Sequence, residues 1–258
     1  KNVYNYFSAL VSLEKNKNIK SLNYFNSSKE LKESHPPYIK KYVFSLVLGK
    51  KVNRAISEIK MRKDKKFIDF FEAHLLLVLD GIKKNDYKKS LDHLNNLKRH
   101  EEEGSIEFII SSFLEEYVHL FNDKQIKLNL DSQFGKMSLI NRTLQNCYLG
   151  HSETENFFEN LTNYDEEGNS RYLFFYANYL IAQNNHLKAK DIFKDVDPIN
   201  SPLLIAQAKK WIDKENYDGF RSFFSCKNSN DIIGEFLFII SNLYSSEDEI
   251  TKSNFYFN

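Results

Sequence analysis

Seven histidines (His35, His74, His93, His100, His119, His151 and His186) and two cysteines (Cys147 and Cys226) are the side chains of this sequence best suited to ligate a metal or attack a substrate. Both kinds of chemistry need such residues at set spacings, so that one helix or one tight turn delivers them to a point. No histidine stands in an HExxH pattern, and the cysteines form no CxxC. No metal site and no cofactor are therefore expected, and both cysteines read as ordinary packed thiols rather than as a disulfide framework. GxxxxGK[ST], GxGxxG and GxSxG are absent, so phosphate cradling and the common nucleophile turns lack their residues. The acidic runs Glu101-Glu102-Glu103 and Asp165-Glu166-Glu167 fall between apolar segments. Catalytic carboxylate pairs need two different environments to divide acid and base roles, which an exposed run between helices does not provide. No enzyme is expected.

Charge offers a second kind of chemistry. Lys60, Arg62, Lys63, Lys65 and Lys66, with Lys83 and Lys84 further on, could make one positive patch for RNA or acidic lipid. The patch lacks the interleaved aromatics that stack on single-stranded bases, so a solvated basic surface is the first reading and nucleic acid is disfavoured. The net charge of +1 hides an asymmetry: residues 1–100 hold 22 Lys and Arg against 10 Asp and Glu, and residues 101–258 hold 14 against 25. Such a split allows self-association, the basic part of one copy meeting the acidic part of another.

The elements that would position these side chains follow from periodicity. Of 258 residues only 8 are Gly and 4 are Pro, too few to punctuate a sandwich or barrel, while hydrophobic residues make up 41% and charged residues 28%. Disorder is excluded and long helices are favoured. Apolar residues at helical spacing predict three helix hairpins in the first hundred residues: Tyr6–Leu13 with Ile19–Phe25, Tyr38–Leu48 with Val52–Met61, and Phe67–Ile82 with Tyr87–Leu97. The predicted turns are the polar 14–18 run, Ser34-His35-Pro36-Pro37 between hairpins, Gly49, and Asn85-Asp86.

One register test supports a repeat. Near the start of each second helix stand Ser21, Ala55, Ser90, Thr154, Ala189 and Thr251, and four residues after each stand Phe25, Ile59, Leu94, Phe158, Phe193 and Phe255. A small residue lets the two helices of a hairpin approach closely, and the large one a turn later fills the space toward the next hairpin. A unit of about 34 residues divides the chain into roughly seven helix pairs. Two spans depart from it. Residues 105–133 hold a helix, Ile106–Phe121, and a weak element around Ile126–Leu130; residues 197–230 hold the helix Leu203–Ile212 and an irregular stretch, Tyr217–Asn230, in which Gly219 and the Cys226–Asn230 run are expected to loop.

At these residues the sequence resembles the tetratricopeptide repeats. The best copy is Tyr172–Phe193, in which Ala177, Leu180, Ala189 and Phe193 match the small, large, small and aromatic positions. Leu75–Leu94 matches in its turn, Asn85-Asp86-Tyr87, and in its second helix, and the first copy carries Ala9, Ser21 and Phe25. The family's Trp and terminal Pro are mostly missing. The order of good and broken copies is similar to that of long bacterial members of unassigned function. The resemblance implies an all-α fold: a single α-solenoid over residues 1–258, a right-handed superhelix of antiparallel helix-turn-helix repeats, degenerate near 105–133 and 197–230.

In such an array the first helices of successive pairs line a concave groove. The register places Tyr6, Leu10, Lys40, Phe44, Leu75, Leu79, Phe174 and Asn178 on it. That lining is largely apolar and aromatic, unlike the Lys, Asn and Arg set by which part of the family grips a terminal carboxylate. It suits an amphipathic helix or hydrophobic peptide. The expected function is a non-catalytic protein-binding scaffold, with a protein or peptide as partner. The alternatives are an RNA- or acidic-lipid-binding surface on the basic half, or the solenoid arm of a larger enzyme. The longest apolar runs, Leu75–Leu79 and Phe236–Ile240, are far below a membrane span of roughly 18 residues. Opening at Lys1 without an apolar leader, the chain leaves the compartment open between exported and cytoplasmic. The lack of a stop signal in the last helix predicts a frame that continues past Asn258.

Overall fold

The computed structural model describes residues 1–127, 134–163 and 170–258. The expected element at Ile126–Leu130 falls partly, and the Asp165-Glu166-Glu167 run wholly, outside the described residues. Among the described residues every α or β element is helical, which makes the fold all-α. The chain forms two compact units, unit 1 from residues 1–118 and 235–258 and unit 2 from residues 119–234.

Unit 1 begins with three hairpins: α1 (Asn2–Glu14) with α2 (Asn18–Ser27), α3 (Pro36–Leu48) with α4 (Val52–Lys60), and α5 (Phe71–Lys83) with α6 (Tyr87–Leu97). Proline at the first position of α3 fits a site whose N–H has no helical partner, so Pro36 starts this helix as well as ending the preceding segment. The remaining helix of the first stretch is α7 (Ile106–Asp123), which contributes residues to both units.

In unit 2, α8 (Lys136–Leu149) pairs with α9 (Thr154–Asn163), and α10 (Ser170–Ala182) with α11 (His186–Asp191). The short α13 (Asp218–Phe223) follows α12 (Leu203–Asp213). The chain then runs through α14 (Ser229–Ser246), which also contributes to both units, to α15 (Ile250–Phe257) in unit 1.

The hairpin turns repeat one backbone device. Asn16, Lys50, Asn85, Asn184, Glu215 and Asp248 all sit at positive φ, between 54° and 61°, and Gly150 sits at 78°. The amide after each of them donates to the carbonyl five residues back: Lys17 to Ser12, Lys51 to Leu46, Asp86 to Gly81, His151 to Asn146, Asn185 to Leu180, Asn216 to Trp211 and Glu249 to Tyr244. This is the Schellman closure, which satisfies carbonyls left open at a helix C-terminus. The seven residues closed in this way lie 34, 35, 65, 34, 31 and 33 positions apart, so the closure returns with the period of the small-large register. The second hairpin turns at Gly49 and Lys50 as expected, with Lys50 in the left-handed position.

The register positions are core. Ser21, Ala55, Ser90, Thr154 and Ala189 are fully buried, as are all six large residues that follow the small ones; Thr251 is half-buried. Two of the small residues also bond across their hairpin, Ser21 Oγ donating to the Ala9 carbonyl at 3.0 Å and Ser90 Oγ to the Val78 carbonyl at 3.1 Å. The approach of α5 and α6 is close enough that a Cβ on Gly81 would lie 2.2 Å from Ser90 Oγ, so any larger residue there would displace that hydroxyl.

Unit 2 corrects two expectations. Gly219 is helical, inside α13, because the Trp211 ring of α12 packs on it at a distance that leaves no room for a side chain. Cys147 at the end of α8 and Cys226 in the turn before α14 are not free thiols. They form a disulfide, with Cα atoms 5.8 Å apart across a sequence separation of 79. Two cysteines so far apart carry no local pairing signal, and only the fold brings their Cα atoms into bridging range.

Candidate functional site

The expected groove residues divide by burial. Leu75 and Phe174 are fully buried, and Tyr6 and Asn178 are buried as well. These four are corrected from groove to core. Tyr6 packs on Tyr38, rings 5.8 Å apart, and meets Phe25 edge-on, so its ring fills the space between the first hairpin and α3. Asn178 spends its amide on the carbonyls of Phe220 and Phe224, at 2.7 and 2.9 Å. A helix flanked on two sides by neighbours leaves only a narrow stripe free, and half of the chosen positions lie outside it. Leu10, Lys40, Phe44 and Leu79 remain half-buried.

Lys40 and Phe44, one turn apart on α3, mark the face that is in use. Helix α15 is seated on it: the Phe255 ring lies 4.6 Å from the Phe44 ring, the shortest-range ring contact α15 makes. Its neighbour Tyr256 is buried and stacks on Tyr244 of α14 at 5.1 Å. Burial pushes both phenols up. Beside this contact a cavity of about 330 Å³ is bounded by Leu13 and Glu14 of α1, Lys40 and Phe44 of α3, and Glu249 and Thr251 at the start of α15. The arrangement is that of an aromatic helix laid on a face built by first helices of hairpins, with an apolar contact at its centre and charge at its rim.

The rim is held by Glu107 of α7. Its Oε1 accepts from Tyr244 Oη at 2.9 Å and from Lys252 Nζ at 3.3 Å. Burial alone would raise this carboxyl, but its own backbone N–H, the Tyr244 hydroxyl and the Lys252 ammonium together hold it below the usual glutamate value. A carboxyl depressed in the folded state stabilises above its unfolded value of about 4.3, and the contribution is lost as pH falls through the folded value. Backbone amides of α15 are therefore expected to exchange faster, relative to unit 2, as pH drops below about 4.3. In Glu107→Gln that extra pH dependence should disappear; persistence of the same dependence would show that another group controls α15.

The basic cluster is largely neutralised. Lys60 and Lys84 both pair with Asp80, Lys84 at 2.8 Å; Arg62 pairs with Glu33 and with Glu58, the latter at 3.4 Å; Lys66 pairs with Asp64 at 2.9 Å. Lys63, Lys65 and Lys83 are exposed and make no ion pair among the described residues. A patch whose cations already hold carboxylates has few charges left for phosphates.

One constellation was missed by spacing. Asp69, just before α5, His74 on α5, and His100, closing the 3-10 turn Lys98–His100 after α6, offer ligand atoms that all lie within 4.8 Å of one another. His100 Nε2 is 3.1 Å and His74 Nε2 3.7 Å from the same carboxylate oxygen, Asp69 Oδ1. His74 is buried, and neither of its ring nitrogens has a hydrogen-bond partner among the described residues. Burial first, then the neighbouring His93 and His100, push its pKa down to about 4, so the ring is neutral. An antiparallel hairpin sets the start of its first helix beside the end of its second. That rule, applied to α5 and α6, is the signal that would have paired His74 with His100.

In comparison with known proteins, the chain matches no protein-family model, no curated protein and no solved structure.

Proposed function

We propose that the chain is a non-catalytic scaffold of tetratricopeptide-like helix hairpins that binds protein by holding a helix against the face of α1, α3 and α5. The reading is carried by α15, which occupies that face through Phe255 on Phe44. It is supported by the left-handed turn that recurs at close to 34-residue intervals and by the buried small-large register. The resident helix defines the chemistry of an occupant: a short helix presenting an aromatic pair, as Phe255 and Tyr256 do, and a lysine for Glu107, as Lys252 does. The disulfide fits an oxidising compartment, the exported alternative of the two that the sequence leaves open.

The test is competition for the face. A fluorescent peptide of residues 249–258 is titrated into the full chain carrying Phe255→Ala, which loosens the resident helix. Saturable binding is expected, with wild type binding less because its own α15 competes. Adding Phe44→Glu should weaken peptide binding on the order of 30-fold, as loss of a central aromatic anchor does. No binding to the Phe255→Ala chain, or binding indifferent to Phe44, would sink the reading. The basic half is a weaker second candidate, since among the described residues only Lys63, Lys65 and Lys83 of its seven expected cations are without carboxylate partners.

A further inference from the structure

We propose that Asp69, His74 and His100 form a binding site for one divalent transition metal, with Zn²⁺ as its natural probe. Two imidazoles and a carboxylate are the donor set of three-ligand zinc sites, in which remaining coordination is left to water or a further ligand. Donors bound at about 2.1 Å in a tetrahedral array stand about 3.4 Å from one another. Here the two measured separations from Asp69 Oδ1 are 3.1 Å to His100 and 3.7 Å to His74, on either side of that value, and no ligand atom is farther than 4.8 Å from another. Closure onto an ion needs only small side-chain movements.

The buried His74 points to a ligand independently of this geometry. Its side chain is 7% exposed, yet neither Nδ1 nor Nε2 has a hydrogen-bond partner among the described residues. An imidazole in that state forgoes the bonds it makes in water, which costs stability. A metal on Nε2 would remove part of that deficit. Oxidation chemistry is not required, and neither is a change in the hairpin: the ligands come from the start of α5 and the end of α6, which already pair. Access exists as well, because Asp69 and His100 both line a cavity of about 440 Å³.

Arg99 is the opposing feature. Its Nη2 lies 3.0 Å from Asp69 Oδ1, the oxygen both histidines face. The Arg99 side chain is 59% exposed, so it is free to move to the second carboxylate oxygen, where it would orient the ligand as outer-shell partners do.

The test uses the full chain and Zn²⁺ alone, by isothermal titration, with Co²⁺ as a spectroscopic stand-in. One equivalent of Zn²⁺ is expected to bind and to raise the unfolding temperature. Co²⁺ should give the visible bands of a nitrogen- and oxygen-ligated ion, without a thiolate charge-transfer band. Asp69→Ala and His100→Ala should each weaken binding at least about 10-fold and abolish the thermal shift. Both replaced side chains are partly exposed, so neither variant removes core, and circular dichroism verifies their folding. His186→Ala, a histidine of unit 2, should leave binding unchanged. Binding of equal strength in wild type and in the Asp69→Ala, His100→Ala double variant would overturn the site, as would loss of binding in His186→Ala. This outcome is separate from that of the peptide experiment, which depends on Phe44 and α15.

Discussion

Replacing Cys226 with serine is expected to lower the stability of unit 2 by about 4 kcal/mol, on the chain-entropy scale for closing a loop of this length. The bridge to Cys147 closes 79 residues, about two thirds of the unit, and its loss returns that freedom to the unfolded chain. Trp211 is the only tryptophan and lies in unit 2, so denaturant unfolding followed by its fluorescence reads this unit alone. Cys147→Ser and the double variant should give the same loss as Cys226→Ser, because all three remove one and the same cross-link. Wild type under reducing conditions should join them. An unchanged midpoint in the single variants would mean that the two sulfurs are not bonded in solution.

The second large effect is expected from Phe174→Ala, a loss of about 3–5 kcal/mol, the range for emptying a buried aromatic site. Phe174 is completely buried in unit 2; its ring stacks on Phe220 at 5.1 Å and meets Phe223 edge-on at 4.9 Å. Trp211 stands at 6.4 Å, so the same fluorescence follows the change. This experiment separates two roles for one residue. A groove residue would lose partner binding with the midpoint intact, whereas a core residue shifts the midpoint. A midpoint within about 0.5 kcal/mol of wild type, the span of ordinary surface substitutions, would return Phe174 to the groove.

These residues also show what could be read from the sequence and what could not. Ser21 with Phe25, Ser90 with Leu94 and Ala189 with Phe193 were legible because burial inside a hairpin depends on residues four apart on one helix, a local property. Phe174 and Asn178 were not. Their neighbours come from α13, in a span too irregular to be recognised as packing partner to α10. Cys147 and Cys226 lie beyond any local rule, and so does the meeting of His74 with His100, which depends on the hairpin's pairing and not on spacing along one helix. Lys50 shows a smaller limit. The turn at Gly49 was legible, but which residue takes the left-handed position is set by its distance from the preceding helix, and Lys50 stands there.

The discontinuity of unit 1 bears on the order in which a ribosome could make this molecule. Residues 119–234 are contiguous, so unit 2 has all of its chain once Gly234 has emerged. Residues 1–118 of unit 1 must wait through the synthesis of the whole intervening unit before residues 235–258 arrive. At roughly 5–20 residues per second that interval lasts on the order of ten seconds, long compared with helix and hairpin formation. Through it, Phe44 lacks Phe255, and Glu107 lacks both Tyr244 and Lys252. The nascent protein thus presents to its surroundings, before any mature partner is met, the very face that α15 will come to cover.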